Sequence, residues 1–245
     1  MIMETREEKI AALQKAVDAA ENIVFFGGAG VSTESGLPDF RGEKGLYLQK
    51  YGLPPESYFS NRLLKYNPEE FFKFQRKRVF GYQAKPNAAH LKLAEWEKQG
   101  KLRAVITQNI DGLHQAAGSQ NVIELHGNLR KCHCMICHKS YDISAVTDTE
   151  GVPRCKICHG IIRPDTVLYG EKLDKRLIEK ATNYIKKADM LIVGGTSLVV
   201  NPAVSLVHEF EKKTLVIINL GLTQLDDHAY IRIYEKIGKV FSELN

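Results

Sequence analysis

Cys134-x-x-Cys137, seventeen residues, then Cys155-x-x-Cys158 is the pattern in this chain with the most definite chemistry. Two such knuckles at that separation supply four thiolates for a tetrahedral zinc ion, with Zn–S near ~2.3 Å and no open position for a substrate. The expected metal is therefore structural. Cys132 is left over, and together with His133, His138 and His159 it keeps the identity of the fourth ligand open. A second group of residues is polar. Thr107-Gln108-Asn109-Ile110-Asp111-Gly112-Leu113-His114 packs amide, carboxylate and imidazole into one octet. Helix capping accounts for Asp111 or Asn109 alone but poorly for the whole run. His126 heads a His-Gly pair, and an imidazole, which titrates near neutrality, suits removal of a proton from a hydroxyl at physiological pH. A lone histidine more often makes a structural hydrogen bond, the reading given to His90, His114, His208 and His228. The third candidate is Gly28-Ala29-Gly30, followed by Pro38-Asp39-Phe40-Arg41-Gly42, an acid, an aromatic and a guanidinium better suited to a ligand than to a core.

These residues need elements to hold them. Ile23 to Phe26 is an apolar run that enters glycines at 27, 28 and 30, the pattern of a buried parallel strand turning into a helix with bare backbone at its start. Such a turn can cradle a phosphate, because glycine admits close approach and the helix end offers unpaired N–H groups. It is not the full dinucleotide fingerprint: the next glycine is Gly36, and no acidic residue closes an obvious second strand. Further strands are expected at 102–107, 122–125, 190–193 and 215–219. Helices are expected at 4–20, 87–99, 175–187 and 202–210. Between them, Glu43 to Pro55 is a loop rich in Gly, Pro and Tyr, and Asn67-Pro68-Glu69-Glu70 starts a helix carrying Phe71, Phe72 and Phe74. Those phenylalanines read as core, with an apolar substrate tunnel as the alternative. Alternation of short apolar strands with helices predicts an α/β fold, a doubly wound Rossmann-like parallel sheet, with a second, smaller helical plus zinc-ribbon module. The polar motifs at 27–42, 107–114, 126–128, 194–201 and 219–221 all follow strands, where such sheets bind ligands.

The balance of 34 basic against 29 acidic residues is a diffuse excess of 5, too weak to identify a nucleic-acid partner. No apolar run approaches a membrane span, and Met1 to Ala20 is charged and amphipathic rather than a signal peptide. The expectation is a cytoplasmic protein with no membrane contact and no direct nucleic-acid binding. Cysteines confined to 132–158 in a chain without an export signal read as metal ligands rather than disulfides.

Gly28-Ala29-Gly30-Val31-Ser32 with Ser35-Gly36-Leu37-Pro38-Asp39-Phe40-Arg41-Gly42 resembles the opening signature of the sirtuins, the NAD-dependent protein deacylases. The octet Thr107 to His114 matches the sirtuin motif residue for residue, and His126-Gly127 is similar to the family's catalytic pair. The cysteine module stands where the family has one. It is followed by Ile162-Arg163-Pro164-Asp165-Thr166-Val167-Leu168-Tyr169-Gly170-Glu171 and by Gly195-Thr196-Ser197-Leu198-Val199-Val200-Asn201-Pro202, both of family type. The resemblance covers residues 23 to 237. It implies NAD as co-substrate and one structural zinc ion on Cys134, Cys137, Cys155 and Cys158. It makes His126 the general base, with Asn109 and Asp111 catalytic residues of the nicotinamide pocket and Gln108 beside the nicotinamide ribose. Gly28, Ala29, Gly30, Ser32, Thr33, Asp39, Ile110 and Gly195 complete the cofactor site. Phe40 would shield the ribose carbon from water, and Arg41 would hold the phosphates. Thr196, Ser197, Asn219 and Leu220 fall to the adenosine half, with backbone near Ile237 beside the adenine. An acyl-lysine protein or peptide is expected as an extended strand between 167–171 and 197–201. The implied division is 1–42, 86–126 and 165–245 for the NAD-binding domain, 43–85 for the helical module with a cofactor-bordering loop, and 127–164 for the zinc-binding module.

Departures from the family pattern are few. Gly27 stands where many sirtuins have Thr, Asp165 where many have Asn, and Tyr169 where Phe is usual. Counting back from Pro86-Asn87, Phe74 and Lys77 occupy the positions that carry Tyr and Arg in the branch removing acidic acyl groups. Protein ADP-ribosyl transfer shares the nicotinamide-leaving step and is the alternative activity. A dehydrogenase lacks its fingerprint here, and a zinc-ribbon binding protein would leave the strand-end loops without purpose.

Overall fold

The computed structural model describes residues 5–42, 45–49, 52–80, 82–199, 203–212 and 214–245, with the side chain of residue 203 excepted. In chain order the strands are β1 (Ile23–Gly27), β2 (Leu102–Thr107), β3 (Val122–Glu124), β4 (Gly127–Cys134), β5 (Ser140–Asp142), β6 (Ile162–Thr166), β7 (Met190–Gly194), β8 (Thr214–Ile218) and β9 (Ile231–Ile233). Six of them form one sheet in the order β3-β2-β1-β7-β8-β9, and every pairing in it is parallel. With the three strands of the inserted small sheet left out of the count, this is the doubly wound order 3-2-1-4-5-6. The strand direction of growth reverses between β1 and β7, and the crevice beyond their carboxyl ends is where such sheets bind ligands.

Period-two alternation of a strand sends neighbouring residues to opposite faces, and β1 shows how both faces are covered. Ile23 and Phe25 join Leu13, Val17, Trp96 and Phe241, so the helices Arg6–Ala19, Ala88–Lys98 and Ile237–Phe241 lie on one side. Val24 and Phe26 join Ala181, Ile185, Leu206 and Val207, so Lys175–Lys187 and Ala203–His208 lie on the other. All five residues of β1 are buried, which is why it reads as an unbroken apolar run.

The chain leaves this sheet twice. After β1 it forms the helices Pro55–Tyr58, Asn61–Tyr66 and Pro68–Arg78, the last started by Asn67, whose side chain accepts the Glu70 N–H. After β3 it forms the antiparallel sheet β5-β4-β6 that carries the cysteines. The two excursions share a single apolar cluster: Leu64, Phe71 and Phe72 from the first pack with Cys132, Cys134, Val146, Cys155 and Ile162 from the second. Arg76 adds a link, donating to the Gly151 carbonyl while its guanidinium lies over the Phe72 ring.

Two expectations are corrected. The segment after β1 is a 3-10 helix, Ala29–Ser35, closed by Gly36 in the left-handed region, and not an α-helix. A further short strand, β9, follows the one expected to be last. No helix among the described residues is long and apolar enough to cross a membrane.

Candidate active site and metal centre

At the carboxyl ends of β1 and β7 two glycine turns press against each other. The Gly30 N–H donates to the Gly195 carbonyl at 2.8 Å, and the Gly28 N–H to the Gly194 carbonyl at 3.2 Å. A Cβ on Gly30 would lie 2.7 Å from Gly195 Cα, so this approach requires glycine before any ligand is considered. Of the amides opening the 3-10 helix, those of Gly28, Gly30 and Val31 already have carbonyl partners. The cradle of free N–H groups expected from the glycines is thus narrower than the sequence suggests.

Next to this turn, the loop after β2 brings three predicted residues into one hydrogen-bonded group. Ser32 Oγ donates to Asp111 Oδ2 at 2.7 Å and accepts from Asn109 Nδ2 at 3.1 Å. The Asn109 N–H is fixed on Thr107 Oγ1 at 3.0 Å, and Asp111 Oδ1 accepts the Leu113 N–H at 2.9 Å. Ser32 and Asn109 are buried, at 2% and 7% exposure, so the group is held inside the crevice. An amide carbonyl and a carboxylate side by side are two acceptors, complementary to the N–H donors of a carboxamide. Gln108 spans the crevice by accepting from Thr196 Oγ1 at 2.9 Å.

His126 follows β3 and is tied to the loop that carries Asn109 and Asp111. Its Nδ1 lies 2.9 Å from the Gln108 carbonyl oxygen, and a carbonyl only accepts, so Nδ1 carries the proton and Nε2 is left as the basic nitrogen. Burial pushes the imidazole pKa below its ordinary value, against the opposing pull of the Gln108 carbonyl. The neutral, proton-accepting form therefore prevails at neutral pH. Gly127 takes φ +73°, and a side chain there would collide with the Asp165 carbonyl, which is why the histidine is followed by glycine. The His126 carbonyl accepts the Val167 N–H at 2.9 Å, joining the imidazole's own backbone to the segment after β6.

Other predicted residues stand further out. Thr33 Oγ1 is bonded to the Gly30 carbonyl, and Asp39 accepts the Gly42 N–H at 3.1 Å. Phe40 meets Tyr47 and Phe59 edge-on, with centroids 5.6 and 5.5 Å apart, while the Arg41 guanidinium lies over the Tyr47 ring at 5.0 Å. Ala29 opens the 3-10 helix, and the Ile110 carbonyl accepts the Leu129 N–H. Ser197 follows Thr196 in the glycine turn, half-buried. Asn219 bonds the Gly221 carbonyl beyond β8, Leu220 is exposed, and neither bonds the central group. The Ile237 side chain is buried against Gly194, so only its backbone can face a ligand. Val200, Asn201 and Pro202 lie outside the described residues.

His90 and His114 do not behave alike. Asn87 N–H donates to His90 Nδ1 at 3.3 Å, but neither ring nitrogen of His114 has a partner among the described residues. The expectation of a structural hydrogen bond is wrong for His114, which packs instead against His90 and Phe25. Sequence reasoning also gave no role to Glu34, which accepts the Gly238 N–H at 2.6 Å and ties the 3-10 helix to the last helix. It gave none to Arg163 or Glu171 either. An arginine inside the apolar run Ile161-Ile162-Arg163 was the available signal for the latter pair.

The four thiols of Cys134, Cys137, Cys155 and Cys158 lie within 4.8 Å of one another, with Cys134–Cys158 at 3.4 Å and Cys137–Cys155 at 3.6 Å. A tetrahedral zinc with Zn–S of ~2.3 Å needs sulfurs about 3.8 Å apart, so the set fits the ion. The Ile136 and Ile157 amides each point at the sulfur two residues back, at 3.4 Å, and both knuckles close through a left-handed histidine, His138 and His159. Cys132 is fully buried in the shared apolar cluster and belongs to the core. His133 is occupied by Asp165, 2.5 Å away.

The profile described as the Sir2 family matches residues 28–202. A protein of Clostridium acetobutylicum called "NAD-dependent protein deacetylase" is 51% identical over 236 residues, covering 95% of this chain and 96% of that one. Its counterpart in Clostridium perfringens is 48% identical, covering 97% and 99%. Among solved structures, "Sir2-p53 peptide-NAD+" has a TM-score of 0.85 at 38% identity, covering 98% of this chain and 96% of that chain. "Structure of Sir2Tm bound to a propionylated peptide" has the same score and identity, covering 96% of both.

Proposed function

The chain belongs to the Sir2 family, and from that premise we propose that it removes acetyl and other neutral acyl groups from protein lysines while consuming NAD. It is an NAD-dependent protein deacetylase with a four-cysteine structural zinc centre. NAD supplies a ribose carbon that can take the acyl oxygen as nicotinamide leaves, and one water would then replace the lysine nitrogen on the acyl carbon, so the products are nicotinamide, free lysine and O-acyl-ADP-ribose. The observation that carries the assignment is His126, its Nδ1 committed to Gln108 and its Nε2 without a partner among the described residues, on the carbonyl next in the chain to Asn109 of the Ser32–Asn109–Asp111 group.

On this reading His126 Nε2 takes a proton from a ribose hydroxyl, and its pKa below the ordinary range keeps it ready to do so. Asn109 and Asp111 orient the nicotinamide carboxamide, and Gln108, steadied by Thr196, lies along the ribose. Phe40 excludes water from the reacting carbon, held edge-on by Phe59, which meets Phe74 in turn at 5.5 Å. Arg41, which lies over Tyr47 here, is the guanidinium this reading gives to the phosphates. The peptide adds as an extended strand to 167–171. There the Val167 carbonyl and the Gly170 amide have no hydrogen-bond partner among the described residues, and strand addition uses such groups. The described part of the facing stretch ends at Val199, half exposed. Five unpaired cysteines fit a reducing compartment, and the cytoplasm is the proposed one.

The test is pure protein with NAD and an acetyl-lysine peptide, followed by nicotinamide release and by the mass of the peptide. Nicotinamide with loss of the acetyl group supports the deacetylase. Label carried from NAD onto the protein acceptor instead supports ADP-ribosyl transfer, and silence with intact zinc defeats both.

A further inference from the structure

Arg163 lies on β6 with only 5% of its surface exposed, and its guanidinium is used wholly within the chain. Nη1 donates to Glu171 Oε1 at 2.5 Å, and Nη2 to Glu171 Oε2 at 3.1 Å and to the Thr166 carbonyl. Nε reaches the Pro164 carbonyl at 3.3 Å. Glu171 has a second task. Its Oε2 accepts the Leu168 N–H at 2.8 Å while its own N–H donates to the Leu168 carbonyl at 2.9 Å. Burial alone would raise the Glu171 carboxyl, but Arg163 and the Leu168 N–H outweigh it and hold the group below its ordinary range, ionised.

The pair thus closes the turn from Leu168 to Glu171 and suspends it from β6. Along the same segment the Val167 N–H is held by His126, and Tyr169 is held on both sides by Phe59 and Asn61. The Tyr169 hydroxyl also bonds that of Tyr47 at 2.6 Å, and among the described residues the segment leaves the Val167 carbonyl and the Gly170 amide open.

We infer that the part-buried Arg163–Glu171 ion pair is a positioning device for the acyl-lysine peptide, holding the edge on which that strand docks in its binding geometry before the peptide arrives. This rests on the reading of 167–171 as the peptide-receiving edge. Neither residue touches the reacting atoms, so their loss must show in peptide binding and not in the handling of NAD. A planar bidentate fork is what orients the carboxylate, so lysine at 163 is not an equivalent replacement. Glutamine at 171 keeps an oxygen for the Leu168 N–H and drops the charge, so it should recover part of the loss seen with alanine.

The experiment compares wild type with Glu171→Ala, Glu171→Gln and Arg163→Lys. It measures kcat and KM for an acetyl-lysine peptide at saturating NAD, KM for NAD at saturating peptide, and peptide Kd by calorimetry. Glu171→Ala should raise peptide KM and Kd at least ~10-fold while the KM for NAD stays within about twofold, with Glu171→Gln in between. Peptide KM within about twofold of wild type in a folded variant overturns the inference, as does a KM for NAD that rises in step. If Glu171→Ala does not fold, Glu171→Gln and Arg163→Lys are judged by the same two ratios. A wild-type enzyme that releases no nicotinamide with acyl peptides would instead sink the deacetylase reading, and calorimetry on that same protein tells the two failures apart.

Discussion

With its Nδ1 proton committed to the Gln108 carbonyl, His126 keeps Nε2 as the ring nitrogen that can accept a proton. His126→Ala should therefore lose at least ~100-fold in turnover while zinc content and NAD binding persist. Near-normal turnover would end the assignment. Because burial holds its pKa below 6.5, the acid limb of kcat/KM should fall below that pH. A limb above it would mean that another group limits the rate. The buried pair His90 and His114 carries a separate consequence for stability. Burial lowers their pKa to about 4, against the opposing charge of Asp111, and to about 3. Both stay neutral in the folded chain where the unfolded chain, at 6.5, already binds protons. Stability is then undiminished above pH 6.5, declines as pH falls below it, and levels off only below the folded values. At pH 5 each imidazole should cost about 2 kcal/mol relative to neutral pH. Urea midpoints at pH 7 and pH 5 measure the loss, and a flat comparison would contradict the burial argument. His126 was legible because a histidine-glycine pair stands at a strand end. The missing bonds of His114 were not, since they depend on which rings close around it.

At the scale of elements, β1 and β7 were readable as fully buried runs, whereas β9 has three residues and no run to read. The 3-10 geometry of Ala29–Ser35 is set by the opposing turn at Gly195, which sequence alone cannot place beside it. The helix Pro68–Arg78 bears on substrate choice. Phe71 and Phe72 turn to the zinc module, and only Phe74 meets Tyr58 and Phe59 on the side leading to Phe40. Lys77 is exposed, and Arg76 is engaged with Gly151 and Phe72. A succinyl tail passing Phe40 and Phe59 would meet the apolar ring of Phe74 on this helix, and an unpaired carboxylate in an apolar channel is costly. Acetyl or longer neutral acyl peptides should exceed the succinyl peptide at least ~10-fold in kcat/KM, or ~1.4 kcal/mol of differential stabilisation. Equal rates would show that the acyl tail lies elsewhere. For the small sheet β4–β6, one zinc per chain is expected. Cys132→Ala should retain it, and Cys134→Ser or Cys155→Ser should lose it. Metal analysis of the purified variants decides, and zinc lost from Cys132→Ala would revise the ligand set.

Across the whole molecule, the order of strands explains why motifs distant in sequence converge. The ends of β1, β2 and β7 meet at the crevice, so the 3-10 helix, the 107–114 loop and the 195–197 turn become neighbours. The fold class could be inferred from alternating strands and helices. The joint core of the two excursions could not, because nothing local announces that Phe72 will meet Cys132. That joint core has a consequence for a chain made from its N-terminus. The helices between 55 and 78 emerge from the ribosome well before the cysteines that complete their packing, and until then the face of Leu64, Phe71 and Phe72 lacks that cover. Nascent chains stalled with only residue 120 exposed should therefore be cut readily within that segment by added protease. Chains stalled beyond residue 170 should resist, provided zinc is supplied. Protection at the shorter length would show that the helices fold alone. If resistance comes only at the longer length, metal supply during translation governs how long this protein stays exposed to the cell's proteases and chaperones.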